Sequence, residues 1–119
     1  KSLIGQLNLA KAYGAKGRLE ESEAAYRRVV ALDPKMPYPH YGLGNLQAMQ
    51  KDHGAAVASY RKAISLGARN AATLTKLGLS LVALGDKEPG IASLENALEI
   101  DPEYSSAKRA LQDLGALSE

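Results

Sequence analysis

No cysteine, tryptophan or phenylalanine occurs among the 119 residues, and histidine and methionine appear twice each. Without cysteine there is no disulfide framework, thiolate metal site or thiol nucleophile. The redox compartment is left open, so cytoplasm and periplasm are both compatible. Long apolar runs are missing as well: nothing approaches about eighteen consecutive apolar residues, which excludes a helical membrane span within this segment. There is no initiating methionine, and a chain starting at Lys1 is expected to be a fragment of a longer protein, in which an upstream signal or anchor would be invisible. What is present is ordinary for a folded domain: 45% hydrophobic and 24% charged residues, with eleven glycines and six tyrosines as the sole aromatics.

The net charge of +2 hides a gradient. Residues 1–36 carry seven basic and four acidic groups and residues 37–70 carry four and one, whereas residues 71–104 carry two and six. Such polarity would orient a charged partner or favour head-to-tail contacts between copies, although solvated helix surfaces explain it more simply.

Taken in order, the chain reads as seven helices. Ser2 to Ala15 has a helical stripe of Leu3, Leu9, Ala10 and Tyr13, and Gly17 supplies a stop. Leu19 to Leu32 follows, with Ser22, Ala25, Tyr26, Val29 and Val30 on one face, ended by Asp33-Pro34. Glu20, Glu21 and Glu23 near its start suit the helix dipole without any acid–base role. Pro37-Tyr38-Pro39 opens a third helix to about Gln50, since first-turn N–H groups have no intrahelical acceptor. Asp52 is expected to cap a fourth reaching Leu66, and Asn70 a fifth from Ala71 to Leu84. Gly85 then stops the fifth helix, and Asp86 caps a sixth with Pro89 in its first turn. The last helix, about Tyr104 to Ala116, places Tyr104, Ala107, Leu111 and Leu114 opposite Lys108, Arg109, Gln112 and Asp113.

These helices repeat with a period of thirty-four residues. Leu43-Gly44 maps onto Leu77-Gly78 and back onto Leu9-Ala10; Tyr60 maps onto Leu94 and Tyr26; Ala63 maps onto Ala97 and Val29. The pattern Leu-Gly, Ala, bulky residue, Ala, Pro resembles the tetratricopeptide repeat. In the second unit His40, Leu43-Gly44, Ala56, Tyr60 and Ala63 carry it; in the third Leu74, Leu77, Gly78, Leu81, Gly90, Leu94, Ala97 and Pro102; in the first Leu9, Ala10, Tyr13, Ser22, Tyr26, Val29 and Pro34. Departures are Ala68 for the closing Pro, Ser22 and Gly90 for Ala, and Gln47 for an aromatic. The resemblance implies an all-α, right-handed α-solenoid of three helix-turn-helix repeats (about 3–36, 37–70 and 71–104). A seventh, capping helix (about 104–116) would follow, in one domain over 1–119.

Chemistry is thinly represented. His40 and His53 lie far apart with no third partner, and Gly42-Leu43-Gly44 sits inside a helix rather than after a strand, so it is not a phosphate loop. No catalytic residue, metal site or cofactor is expected, and the chain reads as a non-enzyme. Nucleic acid is disfavoured because the acidic third unit interrupts any basic stripe. The informative feature is a second apolar stripe on the first helix of each unit: Ile4, Leu7, Tyr38, Tyr41, Met49, Leu79 and Val82 lie off the stripe of Leu9, Leu43 and Leu77 that packs against the second helix. Asn8, Lys11, Asn45 and Lys76 are interspersed. By the resemblance these faces line a concave groove holding an extended peptide or helix. The carboxylate clamp with which some members grip a chaperone tail would fall on Leu7, Lys11, Gly42, Ala72 and Lys76. Only the two lysines suit it, so an apolar or mixed protein ligand is expected instead. A first helix without a polar cap before it also suits stacking on further repeats or on a second copy.

Overall fold

The computed structural model describes residues 2–117. Among them the elements are seven helices and no strand: α1 (Leu3–Ala15), α2 (Leu19–Leu32), α3 (Pro37–Met49), α4 (His53–Ser65), α5 (Ala71–Ala83), α6 (Lys87–Ile100) and α7 (Ser105–Asp113). None of these is long and apolar enough to cross a membrane. Side-chain caps fix three of the starts. Ser2 Oγ accepts from the Gly5 N–H at 2.9 Å, Asp52 Oδ1 from Ala55 at 3.3 Å and Asn70 Oδ1 from Thr73 at 2.9 Å. Asp86 also stands at an N-cap position but makes no capping bond. The residue three positions on is Pro89, whose missing N–H removes the donor such a cap would accept from. The last helix is shorter than expected, with Tyr104 as its flanking residue.

Each first helix of a pair ends in the same wrap. The N–H groups of Arg18, Asp52 and Asp86 reach back five residues to the carbonyls of Tyr13, Gln47 and Leu81 at 2.8–2.9 Å, which requires a left-handed residue just before. Gly17 (φ +78°) and Gly85 (φ +93°) fill that position in units one and three, but in unit two it is Lys51 at φ +66°. The hydrogen-bonded wrap holds an exposed lysine where the backbone favours glycine, at a cost of about 1 kcal/mol.

Helices pack on their chain neighbours, giving a stack 50 × 25 × 20 Å in extent. Small residues let the pairs approach. A Cβ on Gly44 would lie 2.7 Å from the Tyr60 ring, and one on Gly78 2.8 Å from Leu94 Cγ and 2.9 Å from the Gly90 carbonyl. Between pairs, α3 buries Pro39, Leu43 and Leu46, the two leucines clustering with Ala10, Ala25 and Tyr26 of the preceding pair. On α5, Thr73, Leu77 and Ser80 are buried at the same three positions, and Leu77 packs with Ala56, Val57 and Tyr60. On α7, Ala107 and Leu111 are buried against Leu94 and Ala97. The equivalent residues of α1 are Gly5, Leu9 and Ala12, and all three are exposed. Leu9, expected on the packing stripe, is thus 39% exposed against 5% for Leu43 and 7% for Leu77. This position meets the preceding pair rather than its own second helix, and α1 has no preceding pair among the described residues.

Candidate functional site

Tyr38 and Tyr41 of the second stripe join Tyr26 of α2 and Tyr60 of α4, so that four of the six tyrosines form a ladder. Ring centroids run Tyr26–Tyr38 at 6.5 Å, Tyr38–Tyr41 at 6.1 Å and Tyr41–Tyr60 at 6.0 Å, all tilted or edge-on as ring quadrupoles prefer. The ladder exists because α3 carries glycine at 42 and 44: the Tyr26 ring lies 2.5 Å from where a Gly42 Cβ would be, as Tyr60 does at Gly44. The Gly-Leu-Gly motif is therefore a seat for two aromatic rings. Burial raises the phenols of Tyr26 and Tyr60 well above their usual range, with neighbouring Tyr38 and Tyr41 respectively adding to it. The Tyr60 hydroxyl donates to Asn45 Oδ1 at 2.6 Å, and the Lys11 ammonium sits 5.6 Å from the Tyr38 ring centroid.

Two clefts open between α3 and α5. The larger, about 450 Å³, is lined by Asn45, Met49, His53, Tyr60, Lys76 and Leu79 among others. The smaller, about 300 Å³, is lined by Pro37, Tyr38, Tyr41, Asn70, Ala72 and Thr73 with Ala68. Of the residues singled out from sequence, Asn45, Met49, Lys76 and Leu79 thus meet in one cleft and Tyr38 and Tyr41 in the other. Tyr38, Met49 and Leu79 stay 40%, 57% and 46% exposed. Ile4, Leu7 and Asn8 line neither cleft: Ile4 and Asn8 are exposed, and Leu7 is half-buried against the Ala10–Leu46 cluster. Val82 departs from its expected face. Its Cγ2 lies 2.6 Å from where a Gly90 Cβ would be, so it packs on its own second helix, which the missing side chain of Gly90 admits.

His53 and the Tyr60 ring belong to the larger cleft although sequence reasoning placed them elsewhere. His53 Nδ1 is buried without a hydrogen-bond partner among the described residues. A phenol in a packed layer must send its hydroxyl to a polar rim, and that was the available signal for Tyr60. His40, by contrast, is half-buried with Nε2 3.4 Å from the Pro34 carbonyl, a packing role. Glu21 and Glu23 form surface pairs with Arg18 and Arg27, worth little energetically. Among the described residues no group of three or more His, Asp or Glu side chains is placed to hold a metal ion.

The chain is similar to known proteins over nearly its whole length. It is 27% identical over 111 residues to Protein CTR9 homolog of Arabidopsis thaliana, a match covering 90% of this chain but 10% of that protein. Among solved structures it superposes on the first TPR of Spaghetti (RPAP3), bound there to an HSP90 peptide SRMEEVD. The TM-score is 0.91 at 18% identity, over 95% of this chain and 90% of that one. It also superposes on a mutant O-GlcNAc transferase of Thermobaculum terrenum, with TM-score 0.84 and 33% identity over 92% of this chain and 21% of that one. The chain thus spans about a tenth of the plant protein and a fifth of the transferase. The Tetratricopeptide repeat family matches residues 7–72 and again residues 71–104. With three register-matched helix pairs and a closing helix beneath those matches, the chain belongs to the tetratricopeptide repeat family.

Proposed function

We propose that this segment is a non-enzymatic scaffold that binds an extended peptide or a helix of a partner protein along the face formed by α1, α3 and α5. Protein–protein interaction is what this family generally does, and the peptide held by the Spaghetti repeat supports the mode. The observation that carries the reading here is the exposure of Tyr38, Met49 and Leu79 around two clefts, on helices whose opposite faces are buried. The expected occupant is apolar or mixed. A random peptide library panned on the purified chain tests this. Selected peptides should lose binding to the Met49→Ala/Leu79→Ala double variant, and peptides that bind both proteins equally would sink the groove assignment.

A second reading is favoured by one feature, the exposure of Leu9. The uncovered stripe of Gly5, Leu9 and Ala12 suits stacking on a further helix pair or on another copy, making the segment part of a longer array or a self-associating module. Sedimentation equilibrium at high concentration, comparing the chain with Leu9→Lys, separates the self-associating branch. A monomer in both cases excludes it.

A further inference from the structure

The ligand chemistry of the groove can be narrowed, resting on the reading just proposed. The helices α1, α3 and α5 hold no aspartate or glutamate: all thirteen acidic residues of the chain lie elsewhere. Lys11 and Lys76 are the only permanently charged side chains on these three helices, and among the described residues neither is in an ion pair. The net charge of +2 is therefore distributed so that the candidate binding face is cationic while carboxylates occupy the second helices, the closing helix, caps and loops.

The larger cleft concentrates this asymmetry. Met49 and Leu79 give it exposed apolar walls, and Lys76 reaches its rim. Asn45 already spends its carbonyl oxygen on the Tyr60 hydroxyl, which leaves the amide N–H groups as donors. His53 contributes a ring whose buried Nδ1 has no hydrogen-bond partner among the described residues. Lysine ammonium and asparagine N–H groups line the same space with no anionic group among the described lining residues, so a cationic ligand would be desolvated there without compensation.

We infer that this cleft reads an internal acidic residue next to an aliphatic one in a bound peptide. The aliphatic side chain lies between Met49 and Leu79, and the side-chain carboxylate accepts from Lys76 and Asn45. It differs from recognition of a chain terminus, because the carboxylate belongs to a side chain.

The panned library decides this if its peptides are displayed with the C-terminus fused, so that only side-chain carboxylates are available. Peptides that depend on Met49 and Leu79 should be enriched in Asp or Glu beside Leu, Ile, Val or Met. A selected peptide, synthesised with an amidated C-terminus, should lose about tenfold in affinity on Glu→Gln in the peptide or on Lys76→Gln in the protein. Lys76→Arg should retain most binding, and raising salt from about 50 to about 300 mM should weaken it. Lys76 is exposed, so its variants fold and thermal unfolding checks that. Groove-dependent peptides without acidic enrichment, or a change under twofold on Lys76→Gln, overturn the inference and leave the groove reading standing. Failure to recover any peptide that depends on Met49 and Leu79 removes both.

Discussion

The two ends of the stack are built from the same positions and finished differently. At the C-terminal end α7 lays Ala107 and Leu111 over Leu94 and Ala97 and turns Arg109, Gln112 and Asp113 to solvent. At the other end α1 offers Gly5, Leu9 and Ala12, which nothing covers among the described residues. One thirty-four-residue pattern thus produces a buried leucine or an exposed one according to what lies before it. In a quasi-one-dimensional stack, a residue's energy is set by its neighbour unit as much as by its own sequence.

Charge makes the contrast largest. Leu46→Glu places an unpaired carboxylate at a site 4% exposed and should destabilise by about 4 kcal/mol or more, abolishing a cooperative melt. At the equivalent, exposed position of α1, Ala12→Glu should shift stability by no more than about 0.5 kcal/mol. Truncation is gentler. Leu43→Ala and Leu77→Ala should each cost about 2–4 kcal/mol in denaturant unfolding, and Leu9→Ala under about 1. Equal losses at all three would show that α1 is covered in solution, by another copy.

Alkaline pH probes the interior of the first two units, since the third has Leu94 where they have Tyr26 and Tyr60. Tyr26 and Tyr60 hold their protons in the folded state to a pH where the unfolded chain has lost them. Below pH about 10 both states are protonated; above it the unfolded state binds fewer protons, so stability falls as pH rises. Tyr26→Phe should flatten that fall, read as thermal midpoint against pH. Lys51→Gly acts in the other direction: it relieves a left-handed lysine and should stabilise by about 1 kcal/mol or less, with no gain where glycine already stands in units one and three.

The repeat was legible because register and helix punctuation are local: a Leu followed by Gly or Ala recurs in all three units, Asp-Pro ends two of them, and α2 runs over the residues expected. What failed depended on context. Leu9 fits the packing stripe by pattern, and only the spatial order of units reveals that this stripe faces backwards. Val82 looks like groove surface until Gly90 is seen to admit it. Asp86 fits a cap, but Pro89 lacks the hydrogen it would bind. Lys51 carries no glycine signal, since its conformation is imposed by the wrap around it. In the candidate site, Asn45, Met49, Lys76 and Leu79 were identifiable as residues off the packing face. His53, one helix away, was not, because helical periodicity relates residues within an element and says nothing of which second helix borders the cleft.

The tyrosine ladder gives the groove a property unrelated to affinity. The chain has no tryptophan, so its intrinsic ultraviolet emission comes from tyrosine alone. Four of the six emitters sit ring to ring beside the clefts. A partner carrying a tryptophan into either cleft would accept excitation from them, so light absorbed by the scaffold would leave as indole fluorescence. Occupancy of the groove could then be followed by eye of spectrometer alone, with no dye attached to either molecule.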